Sequence, residues 1–119
     1  HMLKLNSIML GSENAKALAE FYEKVLEKKP DMEEEGWYGW NTGSCFFAIG
    51  DHSEVKGSSK NPERILYTFE TAEVQKEFDR LVKEGAKAVK EPYEMGEGFI
   101  ATLADPEGNF FQLMTPWKE

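Results

Sequence analysis

Hydrophobic and polar positions follow two rhythms along this chain, and the rhythms come in nearly the same order in each half. Leu3 to Leu10 is a short apolar-rich run that stops at Gly11, which predicts a strand. Ser12 and Asn14 then offer helix caps, with Glu13 near the positive end of the helix dipole. From Ala15 to Glu27 the residues Leu18, Phe21, Tyr22, Val25 and Leu26 recur at spacings of three and four, which predicts a helix with one apolar stripe. Lys28 and Lys29 suit its C-terminal end, and Pro30 stops it. Two aromatic, glycine-punctuated runs follow, Gly36 to Asn41 and Ser44 to Gly50, and read as a hairpin turning near Thr42 and Gly43. A further short strand is expected around Asp31 to Glu35.

Asp51 to Pro62 is poor in apolar residues and holds Gly57, Ser58, Ser59, Asn61 and Pro62, so it reads as an exposed linker. The pattern then restarts. Arg64 to Glu70 predicts a strand, Thr71 a helix cap, and Val74, Phe78, Leu81 and Val82 the stripe of a second helix that ends at Gly85. Lys87 to Glu91, Gly98 to Leu103 and Asn109 to Thr115 predict three more strands. The last two are joined by Asp105-Pro106-Glu107-Gly108-Asn109, whose Pro and Gly fit a type I turn closed by a residue at positive φ.

Each half therefore reads β-α-β-β-β. Ser7-Ile8-Met9 aligns with Arg64-Ile65-Leu66, and the same shift sets Phe21 on Phe78 and Val25 on Val82. Near the ends, Phe46-Phe47-Ala48-Ile49 resembles Phe110-Phe111-Gln112-Leu113. One such unit leaves a sheet face uncovered and is marginal alone. The expectation is one α+β domain over 3–117, made of repeats 3–52 and 63–117. Its two βαβββ repeats would form a curled mixed sheet around a cleft, with helices on the outside and every second strand residue facing in.

Charge narrows the function classes. With 22 acidic and 14 basic residues the net charge is −8, which argues against nucleic acid and anionic membrane surfaces. Acidity serves solubility and is compatible with a cationic ligand. Cys45 is the single cysteine, so no internal disulfide forms and a cytoplasmic location is expected. No apolar run reaches the length of a membrane span, and no signal peptide is visible. His1 and Met2 read as a cloning remnant and a start methionine, so His1 is set aside.

Taken in order and spacing, Phe21-Tyr22-Glu23-Lys24-Val25-Leu26 in the first helix and Asp105-Pro106-Glu107-Gly108-Asn109 before the last strand resemble the vicinal oxygen chelate family of glyoxalases, bleomycin-resistance proteins and extradiol dioxygenases. The resemblance runs from Leu3 to Trp117. It implies a divalent metal held by His, Gln or Glu on cleft-facing strand positions, with open sites for substrate. Carried over one by one, those positions fall on Ser7, Ala48, Arg64 and Gln112. A hydroxyl, a methyl, a fixed cation and an amide make a poor ligand set, so no metal site and no cofactor is expected.

Other chemistry is thin. His52 lies beside Asp51 and Glu54, an arrangement that reads as a solvated loop before it reads as a metal cluster. Cys45 has no histidine placed to activate it and reads as a core thiol. The Glu33-Glu34-Glu35 run suits an exposed face or a guarded edge. The aromatic residues line a pocket, or else fill the core or a dimer interface. The favoured expectation is a metal-free protein of this family that binds a small organic ligand, by drug or metabolite sequestration of the bleomycin-resistance type. Its cleft would draw on Ser7, Trp37, Trp40, Arg64, Tyr93, Phe99 and Gln112, and the resemblance implies a homodimer. The alternatives are a metal-dependent lyase, isomerase or dioxygenase with non-standard ligands, drawn from Glu63, Glu70, Glu94, Glu97 or His52, and a structural module with a vestigial cleft. Turnover itself is left open.

Overall fold

The computed structural model describes residues 2–117. It divides into two compact units, one running to Gly57 and the other starting at Ser58. The first contains β1 (Ser7–Ser12), α1 (Ala15–Leu26), β2 (Met32–Glu34), β3 (Trp37–Asn41) and β4 (Phe46–Asp51). The second contains β5 (Tyr67–Glu70), α2 (Val74–Lys83), β6 (Lys87–Met95), β7 (Gly98–Ala104) and β8 (Phe110–Met114). Each unit is a four-stranded mixed sheet with its own helix. The strand orders are β1-β4-β3-β2 and β5-β8-β7-β6, with one parallel pair in each, β1 with β4 and β5 with β8. The βαβββ pattern thus occurs twice.

In the first unit, local chemistry sets the helix ends. Asn14 Oδ1 accepts the Ala17 N–H at 3.3 Å, and Ser12 Oγ accepts the Asn14 N–H at 2.8 Å. A third acceptor comes from far along the chain, where Asp51 Oδ1 takes the Ala15 N–H at 3.0 Å. A carboxylate at this end also meets the positive pole of the helix dipole. Leu18, Phe21, Tyr22 and Val25 are buried on the inner side of α1. Tyr22 packs edge-on against Phe47 of β4, with ring centroids 5.0 Å apart. Trp40 of β3 lies beside Phe47, and its indole N–H donates to the Lys28 carbonyl just beyond the helix at 2.8 Å.

Asp31 follows this helix end. It accepts the Asn41 N–H at 2.7 Å and pairs with Lys28 at 2.9 Å. The backbone donor first, and Lys28 second, hold its carboxyl below the ordinary carboxylate range. A depressed folded-state pKa supplies stability above the unfolded pKa, and that stability is lost as pH falls through the folded value. Urea midpoints of wild type and Asp31→Asn should therefore differ by a constant amount at neutral pH and converge in acid. Parallel curves down through the acid range would contradict this.

In the second unit Val74, Phe78 and Leu81 of α2 are buried with Tyr67, Phe111, Leu103 and Leu113 of the sheet. Val82, expected on the same stripe, is 40% exposed. Thr71 is not the cap residue. Its hydroxyl accepts the Glu73 N–H, and the helix begins after Glu73. The turn from Asp105 to Asn109 forms as its residues predict, with Gly108 at φ 81°. The Asp105 carboxylate accepts the N–H groups of Glu107 and Asn109 and the Asn109 side-chain amide at 2.9 to 3.0 Å.

Several element boundaries differ from those the sequence predicts. β1 starts at Ser7, not Leu3, because its parallel partner β4 begins at Phe46, directly opposite Ser7. β5 starts at Tyr67, not Arg64, because Pro62–Arg64 form a short 3₁₀ turn with proline in its favoured first position. β6 runs on past Glu91 to Met95. It is an edge strand, and two register shifts between Ala88 and Tyr93 carry it past Pro92, which lacks an N–H.

The strand registers also correct the internal repeat. Met9 pairs with Ala48, and Thr68 pairs with Gln112, so Met9 and Thr68 are the equivalent positions. That alignment lies two residues farther along than the one suggested by matching Phe21 to Phe78. It places Ala15 on Val74, Ala19 on Phe78 and Tyr22 on Leu81, and all six are buried. Under the original alignment buried Val25 would match exposed Val82.

Candidate functional site

Alternation along each strand sends one set of side chains toward the helix and the other to the opposite, open face. In the first unit Phe47 and Ile49 face α1. The open face therefore carries Ser7 and Met9 of β1, Phe46, Ala48 and Gly50 of β4, and Trp37, Gly39 and Asn41 of β3. Two glycines shape this surface. A Cβ on Gly50 would stand 3.1 Å from the indole atoms of Trp37, and a Cβ on Gly39 would collide with the Phe46 ring. The missing side chains let both rings lie across the sheet. Trp37 remains 41% exposed, so it offers a usable aromatic surface.

In the second unit Phe111 and Leu113 belong to the helix side, and Gln112 and Met114 to the open face. A polar row crosses three strands there. The Thr68 hydroxyl donates to Gln112 Oε1 at 3.2 Å, and Gln112 Nε2 donates to Thr102 Oγ1 at 3.4 Å. Lys90 of β6 stands opposite Thr102, and its ammonium lies 5.1 Å from the centre of the Tyr93 ring. Tyr93 pairs with Ile100 on the same face.

The residues singled out from sequence separate into two groups. Ser7, Trp37, Tyr93 and Gln112 are on open faces. Trp40 is on the helix side with no exposed surface, so it is core. Arg64 lies in the 3₁₀ turn, outside the sheet. Phe99 shares the side of Ala101 and Leu103 and pairs with Glu94, and is 48% exposed at the strand end, away from the open face. Sequence reasoning missed Met9, Phe46, Thr68, Thr102 and Lys90. It also missed that all four strand methionines, Met9, Met32, Met95 and Met114, take open-face positions. Fixing Ala48 with Met9 in the first sheet and Gln112 with Thr68 and Thr102 in the second would have revealed most of these.

The metal implied by the resemblance can be tested against the same registers. The paired positions are Met9 with Ala48 in one unit and Thr68 with Gln112 in the other. A thioether, a methyl, a hydroxyl and an amide already bonded to both threonines do not fit a hard divalent cation, which needs carboxylates or imidazoles. Among the described residues no group of three or more His, Cys, Asp or Glu is placed to hold a metal. His52 Nδ1 accepts the Glu54 N–H within its own loop, and Asp51 caps α1. Cys45 is half-buried at the hairpin turn, one residue before β4, and not within a strand.

Known proteins resemble this chain in sequence and in fold. It shares 41% identity over 46 residues with the uncharacterized protein YurT of Bacillus subtilis (strain 168), a stretch that covers 39% of this chain and 36% of that protein. A solved glyoxalase/bleomycin resistance protein/dioxygenase family enzyme from Burkholderia phytofirmans PsJN matches 95% of this chain and 98% of its own, with TM-score 0.77 and 24% identity. A glyoxalase-related enzyme from Fulvimarina pelagi matches 97% of this chain and 89% of its own, with TM-score 0.79 and 16% identity. At these identities the structures share the fold. The family model of the glyoxalase-like domain matches residues 7–114, nearly the whole chain. The chain belongs to the glyoxalase-like domain family, within the vicinal oxygen chelate superfamily.

Proposed function

We propose that this protein binds a small organic ligand with an aromatic portion, without a metal, on the open side of its sheets, as a sequestering protein of the bleomycin-resistance type. The observation that carries this reading is the pair of rings, Trp37 over Gly50 and Phe46 beside Gly39, next to Met9 and Ala48, where a metal ligand would otherwise stand. Stacking on such rings contributes about 1 kcal/mol beyond area burial. Methionines lining the same faces adapt to irregular shapes. The reading includes a cytoplasmic homodimer. In its support, β6 is an exposed sheet edge bearing Val89, Tyr93 and Met95.

The test is a tryptophan-fluorescence titration of EDTA-treated protein with bleomycin and with neutral naphthalene derivatives. Saturable quenching is expected, unchanged by added magnesium, manganese or zinc. Gly50→Ala, which lifts Trp37, should weaken it about five- to ten-fold. Binding that appears only with a divalent ion would replace this reading with the lyase, isomerase or dioxygenase one. Light scattering on the same sample should give twice the 13.6 kDa chain mass, and the chain mass alone would remove the dimer.

A further inference from the structure

We propose that the row Thr68–Gln112–Thr102–Lys90 on the second unit is a binding site for the carboxylate of an aromatic acid. The inference rests on the reading that the open face is the binding face. The hydrogen bonds run in one direction along the row. Thr68 has one hydroxyl proton and gives it to Gln112 Oε1. This turns the amide nitrogen toward Thr102, whose oxygen accepts one of its two protons. The second amide proton and the Thr102 hydroxyl proton are left to point elsewhere. Lys90 stands opposite Thr102 and has no ion pair among the described residues. It leans over Tyr93 on the same face.

The row therefore keeps three donors on adjacent strands, an amide N–H, a hydroxyl and an ammonium, of which the ammonium has no lone pair to offer. A neutral carbonyl accepts from two of them at most and brings no charge to meet the ammonium. A carboxylate has lone pairs for all three and gains charge-assisted bonds to Lys90. The neighbouring row places one acid on this face, Glu70, which pairs with Met114. Glu70 lies on β5, at the edge opposite to the Lys90 strand. Three strand spacings, about 14 Å, separate the two strands, so Glu70 is too far to occupy Lys90 itself. The net charge of −8 disfavours polyanions at long range, but a single carboxylate is decided by the donors it touches. Tyr93 beside Lys90 gives the adjoining ring of an aromatic acid a surface to pack on.

The experiment compares naphthoate with naphthamide, which share a ring system and differ in the charged oxygen, by calorimetry on the full chain. Naphthoate is expected to bind about ten-fold more tightly. Lys90→Gln and Thr102→Val should each erase most of that preference while leaving naphthamide affinity and the thermal midpoint nearly unchanged. Lys83→Gln, which removes the same charge from the exposed end of α2, should keep it. Equal affinity for the two probes would overturn the carboxylate site and leave open-face binding standing. Loss of the preference in Lys83→Gln to the same degree as in Lys90→Gln would overturn it in favour of a general field effect. Binding of neither probe would remove both this inference and the reading beneath it.

Discussion

Trp40→Ala should cost this protein about 3–5 kcal/mol of stability while leaving the chemistry of the open face intact. The indole is fully buried between α1 and the first sheet, beside Phe47. Its truncation removes the largest fully buried side chain among the described residues and opens a cavity in a close-packed interior. The Lys28 carbonyl, which follows the last turn of α1, also loses its donor. A urea melt would report the loss as a lower midpoint. Since whole domains are held by only about 5–15 kcal/mol, the variant should be close to unfolding at physiological temperature. Trp37→Ala should behave in the opposite way, with a small change in midpoint and a clear loss of ligand quenching. A Trp40→Ala protein less than about 1 kcal/mol weaker than wild type would show that this ring does not anchor the core.

The second large effect is expected at Asp105→Ala, with a loss of about 3 kcal/mol. The carboxylate is 4% exposed, and three N–H donors converge on it. Removing it leaves two backbone N–H groups of a half-buried turn without their acceptor, at about 1–3 kcal/mol for each group that water does not reach. The turn delivers the chain from β7 into β8, the strand that carries Gln112. Loosening it should therefore also weaken the Thr68–Gln112–Thr102 row. Asp105→Asn keeps the shape and one acceptor oxygen, and should recover about half of the loss. Thermal melts of the three proteins, read together, test this. Equal destabilisation by alanine and asparagine would mean that the charge, not the hydrogen-bond geometry, holds the turn.

Much of this architecture is local and was legible in the residues themselves. Caps at Ser12 and Asn14, the apolar stripe of α1, the break after Asp51 and the Asp105 to Asn109 turn all depend on neighbours a few positions away. Such signals survive in a linear reading because the same residues both write and satisfy them. The β-α-β-β-β order, and through it the family, followed from those signals. What failed was the identification of which residue faces which. Trp40 and Trp37 differ by three positions in one strand and take opposite sides, and nothing near them in the chain says which side is covered. The match of Phe21 to Phe78 suggested a register that the sheets do not use.

The sequence by itself determined the elements, their order and the turn chemistry, because each is carried by residue type and short spacing. Only the tertiary structure decided the faces, the laying of Trp37 and Phe46 over glycines, and the row that joins Thr68, Gln112, Thr102 and Lys90. Those features arise from strand pairing between distant segments. A slip of one residue in that pairing would exchange the two faces of a strand without changing a single local preference.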